Sequence, residues 1–447
     1  MISKNFDLVI KKKINSYNKT ITVDSDKSIS IRSILIGSIS QNISEVKNIL
    51  ESEDVKSSIK CLKKLGVKII KKNKTYYIYG KGLGSLSARN NTTLNFGNSG
   101  TLARLLIGIL STTPNIEIIL TGDHSLKKRS MKKLIMLMSQ FGTTFYPKEK
   151  FFLPLKLISS KMPIGINYKA GVSAQLKSAV IFAGLNSFGK TKIFEKEVSR
   201  DHTEKMLLAN QSALSIKKNQ NKTIEINGKK IIKSLKIKVS GDPSSAAFFC
   251  ALTLMKKNST MKILNVGLNP TRTGFYQLLR KHGAKIKFKN LKKRNNEISG
   301  DLEIKNCKLK PLKASKEYYV KATDEYPILF VLAALTKGTS IFKGIGDLAN
   351  KESNRIKEMQ KILKQVGIKS VYKKGELKIF GKGLIDASSK KIELKNLGDH
   401  RLCMSTFILA TLTGAKAVIK NFETVNTSAP SFLKIMRKLG ADFEIHK

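Results

Sequence analysis

The chain has 447 residues, 41% of them hydrophobic, and a formal net charge of +51. This length exceeds one ordinary core, so two domains are expected, each with enough apolar content to be globular. The longest apolar runs, such as PILFVLAAL at 327–335, reach about half of the roughly 20 residues a membrane-spanning helix needs. The N-terminal stretch MISKNFDLVIKKKIN has no sustained apolar region of the kind a secretory signal carries, which predicts a soluble cytoplasmic protein with no membrane partner. Lysines are spread along the whole chain, arginine is scarce, Trp is absent, and no basic run interleaves with aromatics. Base stacking has no platform in such a sequence. The charge is therefore read as a field that draws in small anions, not as a nucleic-acid interface. Cys61, Cys250, Cys307 and Cys403 are far apart and form no CxxC, which gives neither a metal motif nor a disulfide framework.

Six apolar helical runs follow in chain order: DKSISIRSILIG from 26, NSGTLARLLIGIL from 98, SAQLKSAVIFAGL from 173, DPSSAAFFCALTL from 242, DEYPILFVLAALT from 324 and DHRLCMSTFILATLTG from 399. Helices this apolar on every side belong inside a domain, yet each opens on charged or hydroxyl residues. Between them runs a second series. CLKKLGVKIIKKNKTYYIYGKGL (61–83) and ILKQVGIKSVYKKGELKIFGKGL (362–384) read alike: a helix end, a glycine stop, a strand, a polar turn, a strand and a closing GKGL. Weaker copies place the stop positions at Gly66, Gly142, Ser212, Gly283, Gly367 and Gly440, spaced 70–84 residues apart. Glycine supplies the left-handed residue that ends a helix, so the Ser212 copy departs from the rule. Six repeats make six interior helices with polar starts, and helix N-termini hold phosphate or carboxylate. Three such helices side by side in each domain would give two clusters of anion-binding ends facing one cleft.

The motifs DKSISIR, GNSGTLAR, GDHSLKKRSM, AGVSAQLKSAVIFAGL, SRDHTEKML, GDPSSAAF, LNPTRTG, DEYPIL, KESNR and GDHRLCMS, in that order, make the chain resemble the 3-phosphoshikimate 1-carboxyvinyltransferase (EPSP synthase) family. RDHTEKML and SAQ resemble its class II group. The resemblance implies an α/β fold, a two-domain inside-out barrel in which each domain has three βαβαββ repeats around buried parallel helices. The domains would be 20–239 and 1–19 with 240–447, and crossings near 19–20 and 239–240 would suit a hinge. The implied reaction moves the enolpyruvyl group of phosphoenolpyruvate to the 5-hydroxyl of 3-phosphoshikimate, releasing phosphate, on the shikimate route to chorismate and aromatic amino acids. Neither metal nor organic cofactor is implied, and a monomer is expected. The sister enzyme acting on a UDP-amino sugar, and a non-catalytic phosphate- or nucleic-acid-binding protein, are the alternatives.

Residue by residue, the resemblance assigns 3-phosphoshikimate to Lys27, Ser28, Arg32, Ser173, Ala174, Gln175, Arg200, Asp324 and Lys351. It assigns phosphoenolpyruvate to Lys27, Gly100, Arg129, Gln175, Arg355 and Arg401. Arg suits planar oxyanions through paired hydrogen bonds, whereas Lys is a mobile point charge and potential acid. Asp324 is the expected base for the 5-hydroxyl, and Lys27 or Glu352 the expected proton donor to C3. Asn98, Thr101 and Arg104 are supporting residues and His400 is structural. Outside the resemblance, Asp324 reads as a helix cap, and Arg200 reads equally as an ion-pair partner of Asp201 or Glu204. Lys351 and Arg355, four apart, would share one face of a helical turn. Asn354 stands where the family usually has Asp, which removes an ion pair from that turn. Gly100 leaves the phosphoenolpyruvate place uncrowded, so inhibition by glyphosate is expected.

Overall fold

A computed structural model describes residues 5–218 and 222–446; residues 1–4 of the segment assigned above to the second domain lie outside them. The chain divides into two compact units. The first takes Ser25–Val239 with Asn295–Glu297, and the second takes the chain up to Asp24, then Ser240–Arg294 and everything from Ile298 on.

The first unit carries three four-stranded sheets. In strand order they are Lys236–Lys238, Ile43–Lys47, Thr75–Tyr79 and Ile69–Lys72; Thr92–Asn95, Glu117–Thr121, Leu155–Ile158 and Thr144–Tyr146; and Asn167–Ala170, Lys190–Glu195, Lys222–Asn227 and Leu214–Lys218. The second unit repeats the pattern with Asn18–Thr22, Thr260–Gly267, Glu297–Lys305 and Lys285–Arg294; with Lys313–Ala314, Gly338–Lys343, Glu376–Gly381 and Ser370–Lys373; and with Lys391–Leu394, Lys416–Ile419, Asp7–Ile10 and Phe443–His446. In all six the first pair is parallel and the second antiparallel. A parallel pair requires a crossover, and in four of the sheets that crossover holds one of the apolar runs seen in the sequence. In the other two the paired strands are far apart in the chain, and the runs from 26 and 242 instead lead from Asn18–Thr22 to Ile43–Lys47 and from Lys236–Lys238 to Thr260–Gly267.

These six core helices are Lys27–Ile39, Gly100–Ser111 and Ala174–Leu185 in the first unit, and Pro243–Met255, Tyr326–Ala334 and His400–Thr413 in the second. Each is buried along almost its whole length. Each unit therefore has its own apolar core, around Ile34, Leu106 and Val180 in one and Phe249, Leu329 and Met404 in the other. The Gly100 and Ala174 helices approach so closely that a Cβ on Gly108 would lie 2.5 Å from the Ala179 carbonyl oxygen. Only glycine fits there, and the approach brings the starts of the two helices together.

Five of the six helices are capped by the side chain just before them: Asp26, Ser99, Ser173, Asp242 and Asp399 each accept a backbone N–H of the first turn. This is the usual reason for a polar residue there. The sixth differs. Glu325, not Asp324, occupies the cap position of the Tyr326 helix, and it makes no side-chain cap bond. Asp324 lies one residue outside, so the cap reading of it fails. A second set of helices, Glu53–Lys64, Lys132–Ser139, Gly274–Lys281, Arg355–Gln365 and Phe432–Lys438, runs into Gly66, Gly142, Gly283, Gly367 and Gly440, which all have φ between 76° and 94°. Ser212 is not among the positive-φ residues, which is why that repeat tolerates a side chain.

Candidate active site

In the first unit, Lys27 opens its helix with Nζ 3.0 Å from Asp54 Oδ2, and both side chains are largely buried. Arg32, one turn on, is buried and donates from Nε to Thr203 Oγ1 (2.8 Å), from Nη2 to Ser178 Oγ (3.2 Å) and from Nη1 to the Ser28 carbonyl (3.2 Å). Its guanidinium is thus fixed by the helix it sits on and by two neighbouring elements.

Around the Gly100 helix, Asn98 donates to Asp123 (2.7 Å) and accepts from Arg129 Nη2 (2.7 Å), which also reaches Ser125 Oγ (3.1 Å). Asn98 therefore aims Arg129. Arg104 donates to the Gly100 carbonyl (3.1 Å) and to Gln175 Oε1 (3.0 Å), and the Gln175 amide donates to Thr101 Oγ1 (3.0 Å). Arg104 and Thr101 thus hold the Gln175 side chain from both of its ends. A Cβ on Gly100 would sit 2.6 Å from Arg104 Nη1 and 3.1 Å from Arg129 Nη1, so the bare backbone at this position is what lets both guanidinium groups approach. Ser173 caps its helix (3.4 Å to Leu176 N), Ala174 is the first helical residue, and half-buried Arg200 immediately precedes Asp201 and the His202–Leu207 helix.

In the second unit, Arg355 is the hub. Its side chain is 1% exposed, and it meets Asp399 (Nε–Oδ2 2.9 Å, Nη2–Oδ1 3.2 Å), Glu352 (Nη2–Oε2 2.6 Å) and Asp324 (Nη1–Oδ1 3.7 Å). Burial would lower the pKa of this guanidinium, but Asp399, Glu352 and Asp324 outweigh it and raise the pKa above its ordinary value. Arg355 is therefore a permanent cation among three carboxylates.

Asp399 also accepts the Arg401 N–H (3.0 Å) and the Ser353 hydroxyl (2.9 Å). It ties the Arg355 segment to the start of the His400 helix, a link not anticipated from the sequence although GDHR was singled out there. Arg401 is only 4% exposed, its guanidinium carbon lies 5.9 Å from the Phe248 ring centre, and its Nε and Nη1 have no hydrogen-bond acceptor. An uncompensated buried guanidinium is costly, and an anion would relieve that cost. His400, its neighbour, is buried.

Two expectations about the KESNR stretch need correction. Lys351 and Arg355 do not share a helical face, because Lys351–Ser353 form bends and the helix begins at Arg355; Lys351 instead pairs with Asp347 (2.5 Å). The turn is not weakened by Asn354 either: its side chain accepts the Lys357 N–H (3.1 Å) and caps the helix. An amide oxygen does this as well as a carboxylate.

Sequence reasoning missed a further group. Lys177, Glu195, Glu204 and Lys222 form a closed buried square in the first unit, with contacts of 2.7–3.0 Å on all four sides. Glu204, one offered partner for Arg200, is thus engaged by two lysines. Nothing in the local sequence pattern marks these four, since they come from four separate elements.

The family model for EPSP synthase (3-phosphoshikimate 1-carboxyvinyltransferase) matches residues 11–436. A 3-phosphoshikimate 1-carboxyvinyltransferase from Caldicellulosiruptor bescii is 40% identical over 95% of this chain and 97% of its own length. The Zymomonas mobilis protein of the same name is 35% identical, covering 98% and 97%. Among solved structures, EPSP synthase from Acinetobacter baumannii superposes with a TM-score of 0.84 at 33% identity, covering 99% of this chain and 100% of that one. The enolpyruvyl transferase NikO from Streptomyces tendae shares the fold, with a TM-score of 0.76 at 13% identity. This chain belongs to the EPSP synthase family.

Proposed function

We propose that the protein transfers the enolpyruvyl group of phosphoenolpyruvate to the 5-hydroxyl of 3-phosphoshikimate with release of phosphate, in the manner of the class II group of its family. Family membership over nearly the whole chain carries this reading. Lys27, Ser28, Arg32, Ser173, Ala174, Gln175, Arg200, Asp324 and Lys351 bind phosphoshikimate. Lys27, Gly100, Arg129, Gln175, Arg355 and Arg401 bind phosphoenolpyruvate.

Asp324 accepts the hydroxyl proton as oxygen attacks C2, and Lys27 or Glu352 delivers a proton to C3. The tetrahedral adduct then loses phosphate as C3 gives a proton back, which restores the vinyl group. Arg355 fits a double role in this scheme, as an oxyanion ligand and as the charge that keeps Asp324 and Glu352 in place. Positioned proton transfer contributes about 10²–10⁴-fold; charge stabilisation and orientation supply the rest.

The UDP-amino-sugar reading would call on a reactive cysteine. Burial pushes the Cys61 thiol up to about 12 and raises Cys250 and Cys403 as well, which suits core packing and not nucleophilic chemistry. Phosphate release from phosphoenolpyruvate, measured with and without 3-phosphoshikimate, tests the assignment; release independent of the acceptor overturns it. Glyphosate should compete with phosphoenolpyruvate, and unchanged turnover under a large excess of glyphosate refutes that. Among the described residues no helix is long and apolar enough to cross a membrane, and we read the enzyme as a cytoplasmic monomer, checked by sedimentation.

A further inference from the structure

The buried square shares the Ala174 helix with residues assigned to phosphoshikimate, and it grips the segment on either side of Arg200. Lys177 is the fourth residue of the helix that opens Ala174, Gln175. Glu195 ends the strand Lys190–Glu195, Glu204 lies in the helix His202–Leu207, and Lys222 begins the strand Lys222–Asn227. Glu195 Oε1 reaches beyond the lysines to accept both the backbone N–H (3.1 Å) and the hydroxyl (2.9 Å) of Ser199, whose carbonyl lies 3.4 Å from Lys177 Nζ. The residue after Ser199 is Arg200. One residue before Glu204 stands Thr203, which accepts from Arg32 Nε and shares a 2.8 Å hydroxyl contact with Ser178, the other acceptor of Arg32.

Lys177, Glu195 and Glu204 have no exposed side-chain surface, and Lys222 has 7%. Four charges do not enter a core to add stability, because well-packed apolar residues usually serve stability as well or better. They do impose direction. Two lysines between two carboxylates admit one arrangement, and any slip of one element opens a bond that no water can replace.

We propose that the Lys177–Glu195–Glu204–Lys222 square is the positioning device of the phosphoshikimate half of the site, setting Gln175, Arg200 and, through Thr203, Arg32 in register with one another. The proposal rests on the assignment of those residues to phosphoshikimate. None of the four touches substrate. They fix where the contacting groups stand, as outer partners do for the ligands of a metal site, and a misplacement of about 1 Å in such groups can cost 10²-fold.

The test is the charge-balanced double variant Lys177→Met/Glu204→Gln, which leaves the Lys222–Glu195 pair intact. Titration calorimetry with 3-phosphoshikimate should show a dissociation constant raised about tenfold or more, while the KM for phosphoenolpyruvate at saturating acceptor, which the square reaches through Gln175 alone, rises by clearly less and the melting temperature stays near wild type. Lys222→Arg, which keeps the charge, should retain wild-type affinity. A second charge-balanced pair, Lys222→Met/Glu204→Gln, which includes the least buried corner and leaves Lys177–Glu195 intact, gives the same reading should the first double variant not fold. Unchanged phosphoshikimate affinity in a folded variant overturns the proposal, and so does an equal loss for both substrates. If the wild-type protein itself binds no 3-phosphoshikimate, the functional assignment falls first, and that outcome is told apart by the wild-type titration alone.

Discussion

The two units bury charge in opposite ways. In the first, two lysines face two carboxylates, and the square is sealed. In the second, one guanidinium meets three carboxylates, two of which retain contact with solvent: Asp324 is 27% exposed and Glu352 20%, while Asp399 is fully buried. A balanced, closed cluster can only hold geometry. An acid-rich cluster that opens on one side holds geometry at its inner corner and leaves its outer carboxylates able to exchange protons. The difference matches the roles proposed for them, placement in one unit and acid–base chemistry in the other.

The sharpest way to break this contrast is Asp324→Ala. It should lower kcat by about 10²–10⁴-fold with an unchanged melting curve, since Asp324 is the outermost of the three carboxylates and lies at 3.7 Å from Arg355. Near-normal turnover would show that the open side of the cluster has no chemical role. Arg355→Met should act on both levels. Removing the common partner of Asp399 and Glu352 leaves buried negative charge uncompensated, at a cost of about 3–5 kcal/mol, read as a lowered urea midpoint together with lost activity. Lys177→Met alone should cost stability on the same scale of about 3–5 kcal/mol, whereas the charge-balanced double variant should recover most of it.

The pH dependence of stability separates the clusters further. For Glu195, burial raises the carboxyl pKa, but Lys177 and Lys222 outweigh this and hold it below its ordinary 4.5. For Lys222, burial lowers the ammonium pKa, but Glu204 and Glu195 outweigh this and hold it above its ordinary 10.5. A depressed carboxylate contributes stability that is present above its unfolded value and lost as pH falls through the folded one. A raised ammonium contributes stability that is present below its unfolded value and lost as pH rises through the folded one. The square should therefore keep the first unit at full strength between these limits and weaken it at both extremes. In Lys222→Met the alkaline loss should shrink, measured as the urea midpoint against pH; an identical alkaline limb would deny the square that role. The smallest effect expected is that of Gly100→Ala. The added methyl presses on Arg104 and Arg129, and both can yield at their flexible ends. The KM for phosphoenolpyruvate should rise by less than about tenfold, and glyphosate inhibition should weaken in parallel.

Much of this was legible in the sequence because it is local. Helix starts such as Asp26, Ser99 and Ser173 and stops such as Gly66 and Gly440 are set by backbone chemistry within a few residues, and six copies reinforced the reading. What stayed hidden depends on where separate elements come to rest. Asp54 meets Lys27 only because two helices lie side by side, and Glu204 meets Lys222 only through the packing of a short helix on a strand. The KESNR stretch misled in another way. Spacing of four implies a shared face only inside a helix, and there the helix starts at Arg355, with Asn354 acting as its cap.

One strand has a further bearing on how the protein is made. Asp7–Ile10 lies between Lys416–Ile419 and Phe443–His446 in its sheet and pairs with both. During synthesis the whole stretch Ser25–Val239, with its own core and three sheets, can emerge and consolidate before either partner of that strand exists. The early strand must therefore wait, unpaired, while some four hundred residues leave the ribosome, and the second unit is condemned to fold last. Its exposed backbone edge during that interval is where a chaperone would be needed most.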